Sequence, residues 1–220
     1  VQGPPGTGKT TLQAGVIAEA LGWNDGSRLL VTSQSHAATD NILDAVIRRL
    51  RQDHPDRDDV PPGTAIRIFP EERSGRVDPT VERDFSLQAQ TRRLSAASRA
   101  SAKRHEDNPQ LARAVAALRK VGYFELRSRV ERTAPLVFST TGAAPLTLPY
   151  LSSDRMPDYD MTIIDEAAKA WSLDLLMPMS LADRVIAVGD PMQLPPFGET
   201  DFLGFLRNAA ALRHDDAAPP

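Results

Sequence analysis

The chain contains no cysteine. Disulfides, thiolate metal centres and cysteine nucleophiles are excluded, while the compartment is left open. Aromatic residues make up only 5%, so contact with a nucleic acid would rest on the phosphate backbone more than on stacked bases. No run is long and apolar enough to span a membrane, and no signal peptide is visible. A cytoplasmic protein without a membrane partner is the expectation. Internal repeats and long low-complexity tracts are also missing. What is there has the balance of a globular protein: 220 residues, 41% hydrophobic and 25% charged. That is enough for one large domain or a domain with an insertion.

The opening stretch, Gly3-Pro4-Pro5-Gly6-Thr7-Gly8-Lys9-Thr10, fits the pattern Gly, four free residues, Gly-Lys-Ser/Thr of a phosphate-binding loop. Glycines let successive backbone N–H groups turn inward as an anion nest, where side chains would block a polyphosphate. Lys9 brings a compact positive charge to the β/γ-phosphates, and the Thr10 hydroxyl can ligate Mg²⁺. The run from Thr11 to Leu21 reads as a helix whose positive end faces the phosphates. The nucleotide-contacting set is therefore Gly3, Pro5, Gly6, Thr7, Gly8, Lys9, Thr10 and Thr11. Such a loop follows a buried strand, yet only Val1 and Gln2 precede Gly3, so the sequence reads as a fragment.

Arg28 to Thr32 is a short apolar strand, broken at Ser33-Gln34-Ser35-His36. A helix follows with Ile42, Leu43, Val46, Ile47 and Leu50 on one face. This strand–turn–helix rhythm implies an α/β fold with a parallel sheet and sites at the strands' C-terminal ends. Ala65 to Phe69 alternates like a further strand. Beyond Glu71 the texture becomes helical, with two helices expected, the second running from about Gln110 to Arg132 after a break at Asn108-Pro109. Between Asp84 and Thr133 stand eleven lysines and arginines against five acids, a net +6 in a chain of net −3. That segment is either a solvated helical hairpin or a surface that tracks a phosphate backbone. Strand texture returns at Leu136 to Phe138, at Tyr159 to Ile164 and at Val185 to Val188.

The strand at Tyr159 ends in Asp165-Glu166. Two adjacent carboxylates at the end of an apolar strand are costly unless a cation lies between them and the phosphates. Asp165 is placed to hold Mg²⁺, and Glu166 to polarise an attacking water as general base.

The phosphate loop, Asp165-Glu166-Ala167-Ala168 and Gly189-Asp190-Pro191-Met192-Gln193-Leu194-Pro195-Pro196 resemble motifs I, II and III of superfamily 1 helicases. The forms of the first and third are those of the branch containing the nonsense-mediated-decay RNA helicase. Thr32 to Asn41 resembles that branch's motif Ia, and Ser139 to Ala143 a later nucleic-acid-contacting motif. The resemblance implies a RecA-like P-loop NTPase using ATP and Mg²⁺, with a motor domain at 1–70 and 133–220 and an inserted helical subdomain at 71–132. It implies that Gln193 senses the γ-phosphate, making Glu166, Gln193 and Lys9 the catalytic set. It places Ser35, His36, Thr140 and Thr141 along single-stranded DNA or RNA, with ordinary polar turns as the bland alternative for these four. A second RecA-like domain carrying arginine fingers is implied as a partner and is not in this sequence. One residue departs from the pattern: Lys169 stands where the family carries Gln. Two other readings stay open: a P-loop ATPase that remodels proteins, and a nucleic-acid-binding module without turnover.

Overall fold

The structure is a computed structural model. It describes residues 3–4, 6–23, 26–54, 60–70, 76–101, 120–147 and 159–190, with single positions at 110, 113, 116, 117, 192 and 204. Among the described residues, five strands form one parallel sheet: β1 (Leu29–Ser33), β2 (Ala65–Arg67), β3 (Leu136–Thr140), β4 (Tyr159–Ile164) and β5 (Ala182–Ala187), in the order β2-β3-β1-β4-β5. β1 lies at the centre, with Leu30 opposite Val137 of β3 and Thr162 of β4. All five of its residues are buried, as expected of a strand with both faces covered.

One face packs on α1 (Lys9–Trp23) and α2 (His36–Asp53) through Ile17, Ile42, Leu43 and Val46, which meet Leu29, Val31, Phe138 and Ile163. On the other face, Leu30, Ile66 and Val137 meet Leu87 at the start of α4 (Leu87–Ser101) and Val130 of α5 (Tyr123–Thr133). Both ends of the segment expected as an insert therefore join the sheet's cores. Val77, Val81 and Phe85, around α3 (Pro79–Phe85), belong to the first core. This is the α/β, RecA-like arrangement with a parallel sheet.

Several local expectations are corrected. The helix expected from Gln110 to Arg132 does not run through: Gly122 is extended (φ −65°, ψ 156°) and becomes the N-cap of α5, where a glycine interrupts the alanine- and arginine-rich pattern. The Ala65–Phe69 strand stops at Arg67, and it does not alternate, because Arg67 is buried with its neighbours. A short helix, α6 (Ser172–Met179), closes with Pro178 in its last turn and is invisible to a periodicity reading.

Because every pairing is parallel, the C-terminal ends of the strands share one edge of the sheet. There Ser33 leads to Ser35, Thr140 to Thr141, Ile164 to Asp165, and Ala187 to Gly189.

Candidate nucleotide site

The phosphate loop needs its glycines for their backbone geometry: Gly6 and Gly8 have φ of +79° and +80°, a region that side chains disfavour. The Thr7 hydroxyl donates to the Pro4 carbonyl at 2.8 Å. The Lys9 ammonium donates to the carbonyls of Gly3 and Pro4, so the lysine braces the loop that it closes. Helix α1 begins at Lys9 itself, two residues earlier than the sequence suggests.

Motif II follows β4 directly. The Asp165 N–H continues the ladder to the Thr32 carbonyl at 2.8 Å, so Asp165 leaves the sheet at a fixed point. Its Oδ1 accepts from Gln13 Nε2 of α1 at 2.7 Å, a buried bond between residues 152 apart in the chain. That bond ties the loop's helix to the carboxylates. Glu166 has φ +52°, the sole left-handed non-glycine among the described residues, a strained conformation of the kind found at functional sites. The chain then makes a 3₁₀ turn, Ala167–Lys169, whose Ala167 N–H donates to the Val188 carbonyl at 2.9 Å. Gly189 is in close approach: a Cβ there would stand 3.0 Å from the Ala168 backbone nitrogen, so the turn would have to give by a few tenths of an ångström.

These three segments enclose a cavity of about 570 Å³, within the range of small-molecule sites. Gly6, Gly8, Lys9, Thr10 and Thr11 line one wall, and Asp165, Glu166, Ala168 and Lys169 another. Gly189 and Asp190 complete it. The structure brings Lys9, Thr10, Thr11, Asp165 and Glu166 together around this cavity, while Gly3 and Thr7 take part in hydrogen bonds within the loop beside it. Pro5 and Gln193 lie outside the described residues. Sequence reasoning missed Gln13, Asp190 and the placement of Lys169. Gln13 carries no motif signal. Asp190 stood inside the third motif without a role, although its Oδ1 accepts from the Met192 N–H at 3.0 Å and its side chain faces the cavity.

Burial pushes the Asp165 carboxyl above the usual aspartate range; the Gln13 amide, the Glu166 N–H and Lys9 oppose the rise, and the Glu166 carboxylate adds to it. A carboxyl whose folded pKa exceeds its unfolded one favours folding at low pH and loses that contribution as pH rises through the folded value. At neutral pH the ionised Asp165 therefore lowers stability until a cation joins it. Asp165→Asn keeps an acceptor for Gln13 and should raise Tm at neutral pH in magnesium-free buffer by about 2–4 °C, the shift that roughly 1 kcal/mol produces at this size. Thermal melts across pH check it: the gain should shrink as pH falls through the raised folded value towards the ordinary aspartate value, and a lower Tm at neutral pH would refute the burial account.

At the neighbouring end of β1, Ser35 caps α2, its hydroxyl oxygen accepting from the Ala38 N–H at 3.1 Å. Below it, the Arg67 guanidinium is fully buried and donates through Nε to Asp40 Oδ1 at 2.8 Å and through one Nη to the Ile68 carbonyl at 2.8 Å. The other Nη lies 3.0 Å from His36 Nδ1. A guanidinium only donates, so His36 Nδ1 accepts, and the imidazole is neutral with its proton on Nε2. The second Asp40 oxygen accepts from the Asp78 N–H at 2.9 Å. Of the four residues expected along a nucleic acid, Ser35 is exposed and His36 half-buried. Thr140 and Thr141 are 9% and 1% exposed, and Thr141 Oγ1 accepts from Gln34 Nε2 at 3.0 Å. These two threonines form the layer supporting that edge and do not stand open on it.

Comparison with known proteins matches residues 1–123 and 87–198 to a family of AAA domains. The chain belongs to this family, as a superfamily 1 helicase-type motor domain. It is 29% identical over 210 residues to the DNA-binding protein SMUBP-2 of Mus musculus, covering 89% of this chain and 20% of that protein. Similarity to the ATP-dependent helicase upf1 of Schizosaccharomyces pombe is 26% over 209 residues, again 89% and 20%. The DNA replication ATP-dependent helicase/nuclease DNA2 of Saccharomyces cerevisiae matches at 26% over 201 residues, 91% of this chain and 10% of that protein. The chain thus spans a fifth or less of the length of these relatives. Among the described residues, no helix is long and apolar enough to cross a membrane.

Proposed function

We propose that this chain is the ATP-binding and hydrolysing motor domain of a helicase or translocase acting on single-stranded nucleic acid, completed by a second RecA-like domain of the same protein. The observation that carries the reading is the meeting of Lys9, Thr10, Asp165, Glu166 and Asp190 around one cavity in a chain of this family. In this reading 1–70 and 133–220 form the motor, and 71–132 is its insertion.

The donor set fits Mg²⁺. Thr10 and Asp165 offer hard oxygens to the same cavity, and Asp165 is a desolvated carboxylate short of positive charge. Gln13 Oε1 beside it is buried without a partner among the described residues, an acceptor suited to an ion's water. No cluster of three or more metal-ligating side chains is found among the described residues, which suits an ion that draws its remaining ligands from phosphate and water. When bound, the ion supplies neutralisation of charge on the phosphoryl oxygens. The chain's own residues do the rest. Loop N–H groups and Lys9 hold the phosphates, Gln13 fixes Asp165, and the Glu166 carboxylate takes a proton from the attacking water. Gln193, outside the described residues, keeps its proposed role at the γ-phosphate. Ser35 and His36 are the proposed contacts to the nucleic acid, with Thr140 and Thr141 holding that edge in shape.

The test is ATP hydrolysis by the complete protein with and without single-stranded nucleic acid. Marked stimulation supports the motor reading; none points to a protein-remodelling ATPase. The basic segment has its own measurement. Arg113 and Lys120 are exposed, whereas Arg127 is half-buried with its Nε unpaired among the described residues and its charge near Glu131. Replacing Arg113 and Lys120 together by glutamine should flatten the log–log salt dependence of single-strand binding by about 1.4, some 0.7 for each phosphate contact. An unchanged slope would assign the segment to a solvated hairpin.

A further inference from the structure

Lys169 is where the sequence departs from the motif it resembles, and the structure gives that residue a location. Two ammonium groups, Lys9 and Lys169, line the cavity against three carboxylates, Asp165, Glu166 and Asp190. Lys9 is engaged with the loop carbonyls on one wall. Lys169 stands on the other, its Nζ 2.8 Å from Glu166 Oε1. The pair is not buried: the side chains are 41% and 31% exposed, so a ligand entering the cavity can reach both.

The turn that presents Lys169 is fixed at each end. The Lys169 N–H donates to the Glu166 carbonyl at 2.9 Å, and Ala167 is bonded to Val188. Gly189 packs closely against the Ala168 backbone, where a Cβ would stand 3.0 Å from the nitrogen. The backbone of Lys169 is thus fixed beside the carboxylates, and its ammonium is placed there by the contact with Glu166.

We propose that Lys169 binds the terminal phosphoryl group of a nucleoside triphosphate and gives the site its preference for triphosphate over diphosphate. The inference rests on the nucleotide reading of the cavity. Its physical basis is charge. A terminal phosphoryl group carries close to two negative charges at neutral pH, about twice those of a carboxylate, and it enters a cavity where carboxylates outnumber ammoniums. With loop N–H groups and Lys9 committed to the phosphates on their wall, Lys169 is the cation on the Glu166 wall. It exchanges its bond to Glu166 for one to the phosphoryl oxygens. The exchange frees the Glu166 carboxylate only when a γ-phosphate extends to the Glu166 wall, which the shorter diphosphate does not reach. A diphosphate leaves the Lys169–Glu166 pair intact.

The experiment measures equilibrium binding of the β,γ-imido analogue of ATP and of ADP, each with Mg²⁺, to the complete protein and its Lys169→Gln, Lys169→Met and Lys169→Arg variants. Lys169→Gln and Lys169→Met should weaken the triphosphate analogue by about ten- to hundredfold, the scale of a charge-assisted hydrogen bond. ADP binding should change by less than about twofold, which also shows that the variants are folded, and Lys169→Arg should restore most of the loss. Equal weakening of both nucleotides, or no change in either, overturns the proposal. Lys9→Ala separates this from the underlying reading. If the parent binds neither nucleotide, or Lys9→Ala binds as the parent does, the nucleotide site itself falls. If binding depends on Lys9 but is indifferent to Lys169, only the present inference falls.

Discussion

Glu166→Gln should bind ATP no more weakly than the parent and lose hydrolysis by about 10²- to 10⁴-fold, the contribution typical of a positioned general base. In activation free energy that is about 3–5 kcal/mol. The substitution keeps size, so the left-handed turn at φ +52° is disturbed little, while the ion pair with Lys169 becomes a neutral hydrogen bond. What it removes is the ability to take a proton. The loss should therefore fall on kcat, with KM almost unchanged. Single-turnover hydrolysis by the complete protein, beside equilibrium binding of ATP, separates the two effects. Hydrolysis equal to the parent's would remove Glu166 from the role of base and leave Asp190, the remaining carboxylate lining the cavity, as the group to examine.

Lys9, Thr10, Asp165 and Glu166 were legible in the sequence because each chemistry is written in a few adjacent residues. A phosphate nest needs glycines at fixed spacing, and a carboxylate pair announces itself at the end of an apolar strand. The parallel sheet was legible for a similar reason: Leu29 to Val31, Leu136 to Phe138 and Met161 to Ile164 are short apolar runs between turn and helix signals. Gln13 was not legible. A glutamine in a helix reads as solvent-facing, and only the docking of α1 against the end of β4 buries it on Asp165, 152 residues away. Lys169 was noticed as a departure, but whether it faced Glu166, the cavity or solvent depends on a turn held by Val188 and Gly189. Thr140 and Thr141 look like open turn residues because hydroxyls favour turns. Their burial comes from the sheet extending through Thr140 and from the 3₁₀ turn packed behind it.

Arg67 shows the same limit most sharply. In an alternating run an arginine is assigned to the solvent face, yet this one is buried, held by Asp40 of a different element. Burial pulls its guanidinium below the usual arginine range, and the hydrogen bond and charge of Asp40 act against that shift. Removing one partner of such a pair leaves the other charge buried and uncompensated. Asp40→Ala should therefore lower stability by about 3–5 kcal/mol, a large share of what a domain of ordinary stability has. The loss has two parts, since Asp40 also accepts from the Asp78 N–H that starts α3. Asp40→Asn keeps the size but only one of the two accepting oxygens, so it can answer either Arg67 or the Asp78 N–H and should recover only part of the loss. The double replacement Asp40→Leu with Arg67→Met removes both charges and should recover much of the loss, giving a large coupling energy in a double-mutant cycle. Urea unfolding at neutral pH of the parent, Asp40→Leu, Arg67→Met and the double replacement closes the cycle, with Asp40→Ala and Asp40→Asn measured beside them. His36 supplies the functional readout, because its Nδ1 rests on the same guanidinium. In the double replacement the imidazole is no longer held as an acceptor at Nδ1, so single-strand binding should weaken even though the fold has recovered. Additive losses in the cycle, with binding unchanged, would show that Arg67 is ordinary core filling and does not set the edge that carries Ser35 and His36.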